Sequence, residues 1–219
     1  MIDEGVRGQF PGAAGYLNTA SVGLPPQTTV DAMTSAIGEW QSGTAEPPGY
    51  DRYVEEARTS FAAMVGVPAA QVAVGAQVSA LVAMAVTVLQ QGSRVLVPAG
   101  EFTSTTFTFL GRADLDLEVV SAPLDRLADA IGPGTSMVSF SLVQSADGRV
   151  ADVAAIREAA AAVGALTMVD TTQAAGWLPF RADDYDISVA GTYKWLLSPR
   201  GTAFMSVRPE LLDRVTPLY

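Results

Sequence analysis

From Val72 to Val207 the chain repeats one pattern: a short apolar run rich in β-branched residues, a turn-forming break, and a segment of helical length. Runs such as Val95-Leu96-Val97 and Met168-Val169 are apolar at consecutive positions, not at every second one. Consecutive apolar residues suit strands buried on both faces, the setting of a parallel sheet covered by helices. The pattern predicts strands over 72–75, 94–98, 117–122, 136–142, 166–170, 187–190 and 202–207. Helices are predicted over 77–90, 104–111, 124–131 and 153–163, with a last one starting at Pro209. This is an α/β chain, and in such sheets ligands sit outside the carboxyl ends of the strands.

Upstream, the segment from Gly15 to Gln27 has the Asn, Ser, Gly and Pro density of an irregular arm. The spacing of Val30, Met33, Ile37 and Trp40 predicts a helix over 27–40, and a second helix is predicted over 53–65 beyond a Gly/Pro-rich patch. The expected division is therefore residues 1–60 as an arm with helices and 61–219 as a large domain.

Composition narrows the function. At 219 residues and 49% hydrophobic, the chain is long and apolar enough for one sizeable core. Thirteen basic and 23 acidic side chains give a net charge of −10, which argues against nucleic acid and anionic membrane as partners. An anionic ligand must then be held by local features such as helix N-termini. The best membrane candidate, over 78–89, is too short to span a bilayer. The start, MIDEGVRGQF, lacks the basic and apolar regions of a secretory signal, so a cytoplasmic location is expected. Cysteine and histidine are both absent, which removes a thiol nucleophile, the commonest metal ligand and the commonest general base.

Lysine is the informative residue. Of the 13 basic side chains, only Lys194 is a lysine; the rest are arginines. A guanidinium stays protonated and is a poor nucleophile, whereas an amine forms an imine with an aldehyde.

Four segments could bear chemistry. In Ile187-Ser188-Val189-Ala190-Gly191-Thr192-Tyr193-Lys194 a strand ends and a turn presents Tyr193 and Lys194 just beyond it; a surface lysine after a strand reads the same way. In Thr167-Met168-Val169-Asp170-Thr171-Thr172-Gln173 a buried strand ends in a carboxylate. A buried Asp needs a partner, which a protonated pyridine nitrogen or the start of a following helix supplies. Val74-Gly75-Ala76-Gln77-Val78-Ser79 leads from strand into helix, with backbone N–H groups free for a phosphate or for a simple cap. Finally, Phe102 follows the Val95–Pro98 run, where an aromatic stacks on a planar ring or packs as core.

Together, VDTTQ and, after eighteen intervening residues, TYKWLLSPRG resemble the class V aminotransferase and cysteine desulfurase family of pyridoxal 5'-phosphate (PLP) enzymes, and the resemblance runs from YLNTASVGLP onward. It implies the three-layer α/β/α large domain of the fold type I transferases, with a mostly parallel seven-stranded sheet. It implies that Lys194 is the internal aldimine lysine, that Asp170 partners the pyridine nitrogen, and that Gln173 donates to the ring hydroxyl oxygen. Gln77, with the Ala76 and Val78 amides, takes the place of the family's phosphate-binding threonines. Tyr193 stands where desulfurases have a phosphate-binding His, Phe102 where they stack a His on the ring, and Ser145 where an Asn often faces the substrate. A homodimer is implied, because relatives build each site from two subunits.

Three departures shape the expected activity. Phe102 cannot relay protons, so Lys194 is the natural base for Cα–H removal. No Cys is present. Relatives continue, past the point where TPLY ends this sequence, into a C-terminal small domain that brings the substrate-carboxylate Arg; these 219 residues are expected to be part of a longer chain. The resulting expectation is a PLP-dependent transaminase or β-eliminating lyase acting on a small amino acid, with substrate groups also read by the arm around Asn18 to Ser21. The competing class is a degenerate, non-catalytic relative serving as a structural or regulatory partner. A nucleotide-binding α/β domain would need a glycine fingerprint that the sequence lacks.

Overall fold

The computed structural model describes residues 3–217, so the outermost residues of the two expected divisions lie outside it. Seven strands form one sheet: β1 (Val72–Gly75), β2 (Arg94–Pro98), β3 (Glu118–Ala122), β4 (Thr135–Ser141), β5 (Leu166–Asp170), β6 (Ile187–Gly191) and β7 (Ala203–Val207). Their order is β1-β7-β6-β5-β4-β2-β3. Strands β2 to β6 pair in parallel, and β7 runs antiparallel to both β6 and β1. All seven lie within a residue of the positions the hydrophobic pattern predicts.

The apolar runs are continuous because both faces are covered. Val95 and Val97 of β2, Met137 of β4 and Met168 of β5 enter one core; their neighbours Leu96, Val138 and Val169 enter the other. On the first face lie α4 (Val78–Ala85), through Leu81, Val82 and Ala85, and α5 (Thr103–Leu110), through Phe109. On the second lie α6 (Leu127–Ala130) and α7 (Val153–Val163), through Leu127, Ile156 and Ala160. Helix α7 starts where the Asp152 side chain accepts the Ala155 N–H and stops at Gly164, whose φ of 70° only glycine adopts freely. Further along that face, α3 (Asp51–Val65) buries Phe61, Ala62 and Val65, and Phe61 stacks on Phe204 of β7 with centroids 4.3 Å apart.

The differences from the sequence reading have local causes. The helix expected over 77–90 is α only to Ala85 and tightens into a 3-10 turn at Val86–Val88, where two β-branched valines and Thr87 crowd the turn. The segment after Pro209 is a 3-10 helix, Pro209–Arg214. A short α1 (Glu4–Gly8) forms in the arm, where Asp3 accepts the Gly5 N–H. Helix α2 (Gln27–Ser42) forms as its spacing predicts, yet Val30, Met33, Ile37 and Trp40 all stay exposed. No described element packs over that stripe.

Candidate active site

The carboxyl ends of the parallel strands, with the end of β1 and the start of β7, open onto a cavity of about 590 Å³. Its wall includes Ala76, Gln77, Val78, Phe102, Ser145, Asp170, Gln173, Tyr193 and Lys194, so all the expected cofactor-binding positions line one space, while Asn18 to Ser21 of the arm are not on this wall. That volume falls within the range of roughly 300–1,000 Å³ usual for small-molecule sites.

Lys194 sits on the turn after β6. The turn is pinned to the start of β7, because Thr192 gives both its N–H and its hydroxyl to the Thr202 carbonyl, at 3.3 and 2.9 Å. It is pinned from below by the arm, where the Gly23 N–H donates to the Tyr193 carbonyl at 2.8 Å. Lys194 is 6% exposed, and its Nζ lies 5.4 Å from the Phe102 ring centre. Among the described residues its Nζ has no ion pair and no hydrogen bond. Burial holds the amine below the ordinary lysine value; Asp170 opposes that shift and Arg200 adds to it. A desolvated amine without partners keeps more of its neutral, nucleophilic form.

Asp170 ends β5 and is 6% exposed. Its Oδ1 accepts the Thr172 N–H at 2.8 Å, so the carboxylate shapes the next turn without capping a helix. Burial pushes its carboxyl above the ordinary range, against Thr172, which stabilises the anion; repulsion from Glu101 adds to the rise and Lys194 opposes it. Thr172 also ties β5 to β6, since its hydroxyl accepts the Gly191 N–H at 2.9 Å.

Gln173 is fully engaged. Its Nε2 donates to the Ala20 carbonyl at 3.0 Å and to Ser145 Oγ at 3.1 Å, while its Oε1 accepts from Trp195 Nε1 at 2.9 Å. One amide thus links the arm, the loop after β4 and the residue beside Lys194. At the other end of the cavity, Gln77 is the N-cap of α4 with no side-chain capping bond. The first intrahelical donor of α4 is Leu81, which leaves the Val78, Ser79 and Ala80 N–H groups without helical acceptors.

Glu101, Thr172 and Arg200 were not singled out in the sequence. The Glu101 carboxylate accepts from Phe102 N at 2.7 Å, Ser141 N at 2.7 Å, Ser141 Oγ at 2.5 Å and Gln144 Nε2 at 3.1 Å. It binds the end of β2 to the end of β4 and fixes the backbone from which Phe102 reaches the cavity. An acidic residue three positions beyond a buried strand was the available signal.

PLP needs an amine for its aldehyde, an anion for its ring nitrogen and donors for its phosphate. Lys194 could supply the first, Asp170 the second and the start of α4 the third, and all line one cavity. The donor set fits the cofactor that the motifs imply.

Comparisons with known proteins give the family and the fold. An uncharacterized aminotransferase of Bacillus subtilis (strain 168), YcbU, is 32% identical over 172 residues, covering 74% of this chain and 46% of that protein. The isopenicillin N epimerase of Streptomyces clavuligerus is 29% identical over 227 residues, covering 92% of this chain and 55% of that protein. The chain thus spans about half the length of these curated relatives. Among solved structures, the cystine C–S lyase C-DES in complex with its product cysteine persulfide superposes with a TM-score of 0.85 at 21% identity, covering 96% of this chain and 62% of that one. The family model for aminotransferase class-V matches residues 16–219. The chain belongs to the class V aminotransferase family of PLP-dependent enzymes.

Proposed function

We propose that this chain forms the cofactor-bearing domain of an enzyme that processes a small amino acid by transamination or β-elimination, with PLP held covalently on Lys194. The observation behind this reading is a buried, unpartnered amine sharing one cavity with the Asp170 carboxylate and the open amides of α4.

When bound, PLP supplies an electron sink that stabilises a carbanion at the substrate Cα. The chain's residues do the rest. Asp170 would hold a proton on the ring nitrogen, an attraction that also relieves its own unfavourable burial. Gln173 would donate to the ring hydroxyl oxygen, giving up Ser145 to do so. Gln77 and the Ala76 and Val78 amides would face the phosphate. Phe102, which lines the cavity and brings no titrating group, would cover a ring face, which would leave proton transfer at Cα to Lys194 Nζ. Ser145, released by Gln173, would face the substrate. A homodimer belongs to the same proposal.

The test is a spectroscopic screen of amino acids against the full-length, cofactor-loaded protein, scoring changes in visible absorption and keto-acid product. Turnover of at least one small amino acid supports the enzyme. A loaded protein that binds amino acids without product favours the non-catalytic alternative.

A further inference from the structure

Arg200 is a cation on the cavity wall to which no role has been given. Its guanidinium stacks over the Tyr193 ring, 4.3 Å from the centroid. Among the described residues it forms no ion pair and no hydrogen bond, unlike the neighbouring Arg181 and Arg208, which are both paired with Asp residues. An exposed arginine in an acidic chain that is held by an aromatic face and left without a carboxylate is available to a ligand anion.

The sheet register says which end of the cavity it serves. Gly75, the last residue of β1, pairs with Ala203, the first of β7, and Gly191 of β6 pairs with the same Ala203. The Arg200-Gly201-Thr202 turn therefore enters the sheet where β1 passes into Gln77 and the start of α4. The loops bearing Ser145 and Phe102 follow β4 and β2, on the far side of β5. Arg200 thus stands with the open α4 amides, away from the residues facing the substrate. Those amides and the hydroxyls of Ser79, Tyr193 and Thr202 offer hydrogen bonds but no full positive charge.

Resting on the PLP reading above, we infer that Arg200, braced on Tyr193, supplies the countercharge for the cofactor phosphate and is a phosphate-binding residue of this site. Its planar fork can give two parallel hydrogen bonds to phosphate oxygens, a geometry that a lysine in the same place does not offer. Its charge also reaches Lys194, where it favours the neutral amine that condenses with the aldehyde.

The experiment titrates cofactor-free, full-length protein with PLP and, separately, with pyridoxal, which has the same aldehyde and ring but no phosphate. Wild type is compared with Arg200→Gln and Arg200→Lys. The expected result is that Arg200→Gln weakens PLP binding about tenfold or more while leaving pyridoxal binding within about twofold. Arg200→Lys should recover part of the loss, and inorganic phosphate should compete with PLP less well in Arg200→Gln than in wild type. An equal loss for both aldehydes overturns the inference by making Arg200 a structural support for Tyr193. Unchanged PLP affinity with weakened binding of an acidic amino acid overturns it by moving Arg200 to the substrate. Failure of wild type to take up either aldehyde overturns the Lys194 reading itself, and this inference with it.

Discussion

Gly23 and Lys194 touch through their backbones: a Cβ at position 23 would overlap the Lys194 carbonyl oxygen and press on Leu197. The arm can donate to the Tyr193 carbonyl only because residue 23 has no side chain. Gly23→Ala is expected to lift the arm from the lysine turn, costing about 1–3 kcal/mol of stability. Denaturant unfolding measures the loss, and pyridoxal capture by Lys194 should slow in parallel. A variant as stable as wild type would show that the arm does not brace the turn.

Asp170 is expected to oppose folding when no cofactor is present. Its carboxyl is raised by burial, so the native state holds that proton more firmly than the unfolded chain. The stabilising contribution is complete below the unfolded Asp value, about 3.9, and is lost as pH rises through the higher native value. Near neutral pH, Asp170→Asn should therefore raise the melting temperature of the cofactor-free protein by roughly 2–4 °C for about 1 kcal/mol. The gain should shrink as pH falls through the native value and be gone below about pH 4.

Lys194 should capture pyridoxal with a pH profile displaced to the acid side of the ordinary lysine value of about 10.4, because burial disfavours its ammonium form. Asp170 favours that ammonium, so Asp170→Asn should move the profile further towards acid. Capture rates by stopped-flow absorbance check both shifts; a move towards alkali in the variant would contradict the assigned coupling.

The fold was legible because each strand carries its own apolar run and each helix its own spacing. The same locality made Lys194 and Asp170 legible: both stand at strand ends, where a parallel sheet presents its ligand residues. Glu101 was not legible in this way, since its partner Ser141 lies 40 residues on and the pairing exists only once β2 and β4 are neighbours. The Gln173 link to Ala20 spans 153 residues and depends on where the arm docks. Arg200 read as one arginine among twelve until the β1–β7 pairing set it beside α4. Helix α2 shows the converse, because spacing alone forms the helix but does not say what covers its apolar stripe.

Glu101→Ala removes the acceptor for four donors, two of them the backbone N–H groups of Phe102 and Ser141. The expected cost is about 2–4 kcal/mol. Phe102 should lose its fixed approach to the cavity, so pyridoxal affinity should fall as well. Glu101→Gln keeps one acceptor oxygen and should fall between wild type and Glu101→Ala on both measurements.

Lys194 is the only side-chain amine in these 219 residues, and one measurement tests its role directly. Full-length protein loaded with PLP is reduced with borohydride, digested, and mapped by mass spectrometry. The pyridoxyl mass should appear on the peptide containing Lys194 and be missing in Lys194→Ala. An adduct on another amine instead, or one that survives unchanged in Lys194→Ala, would contradict the assignment of this cavity as the cofactor site.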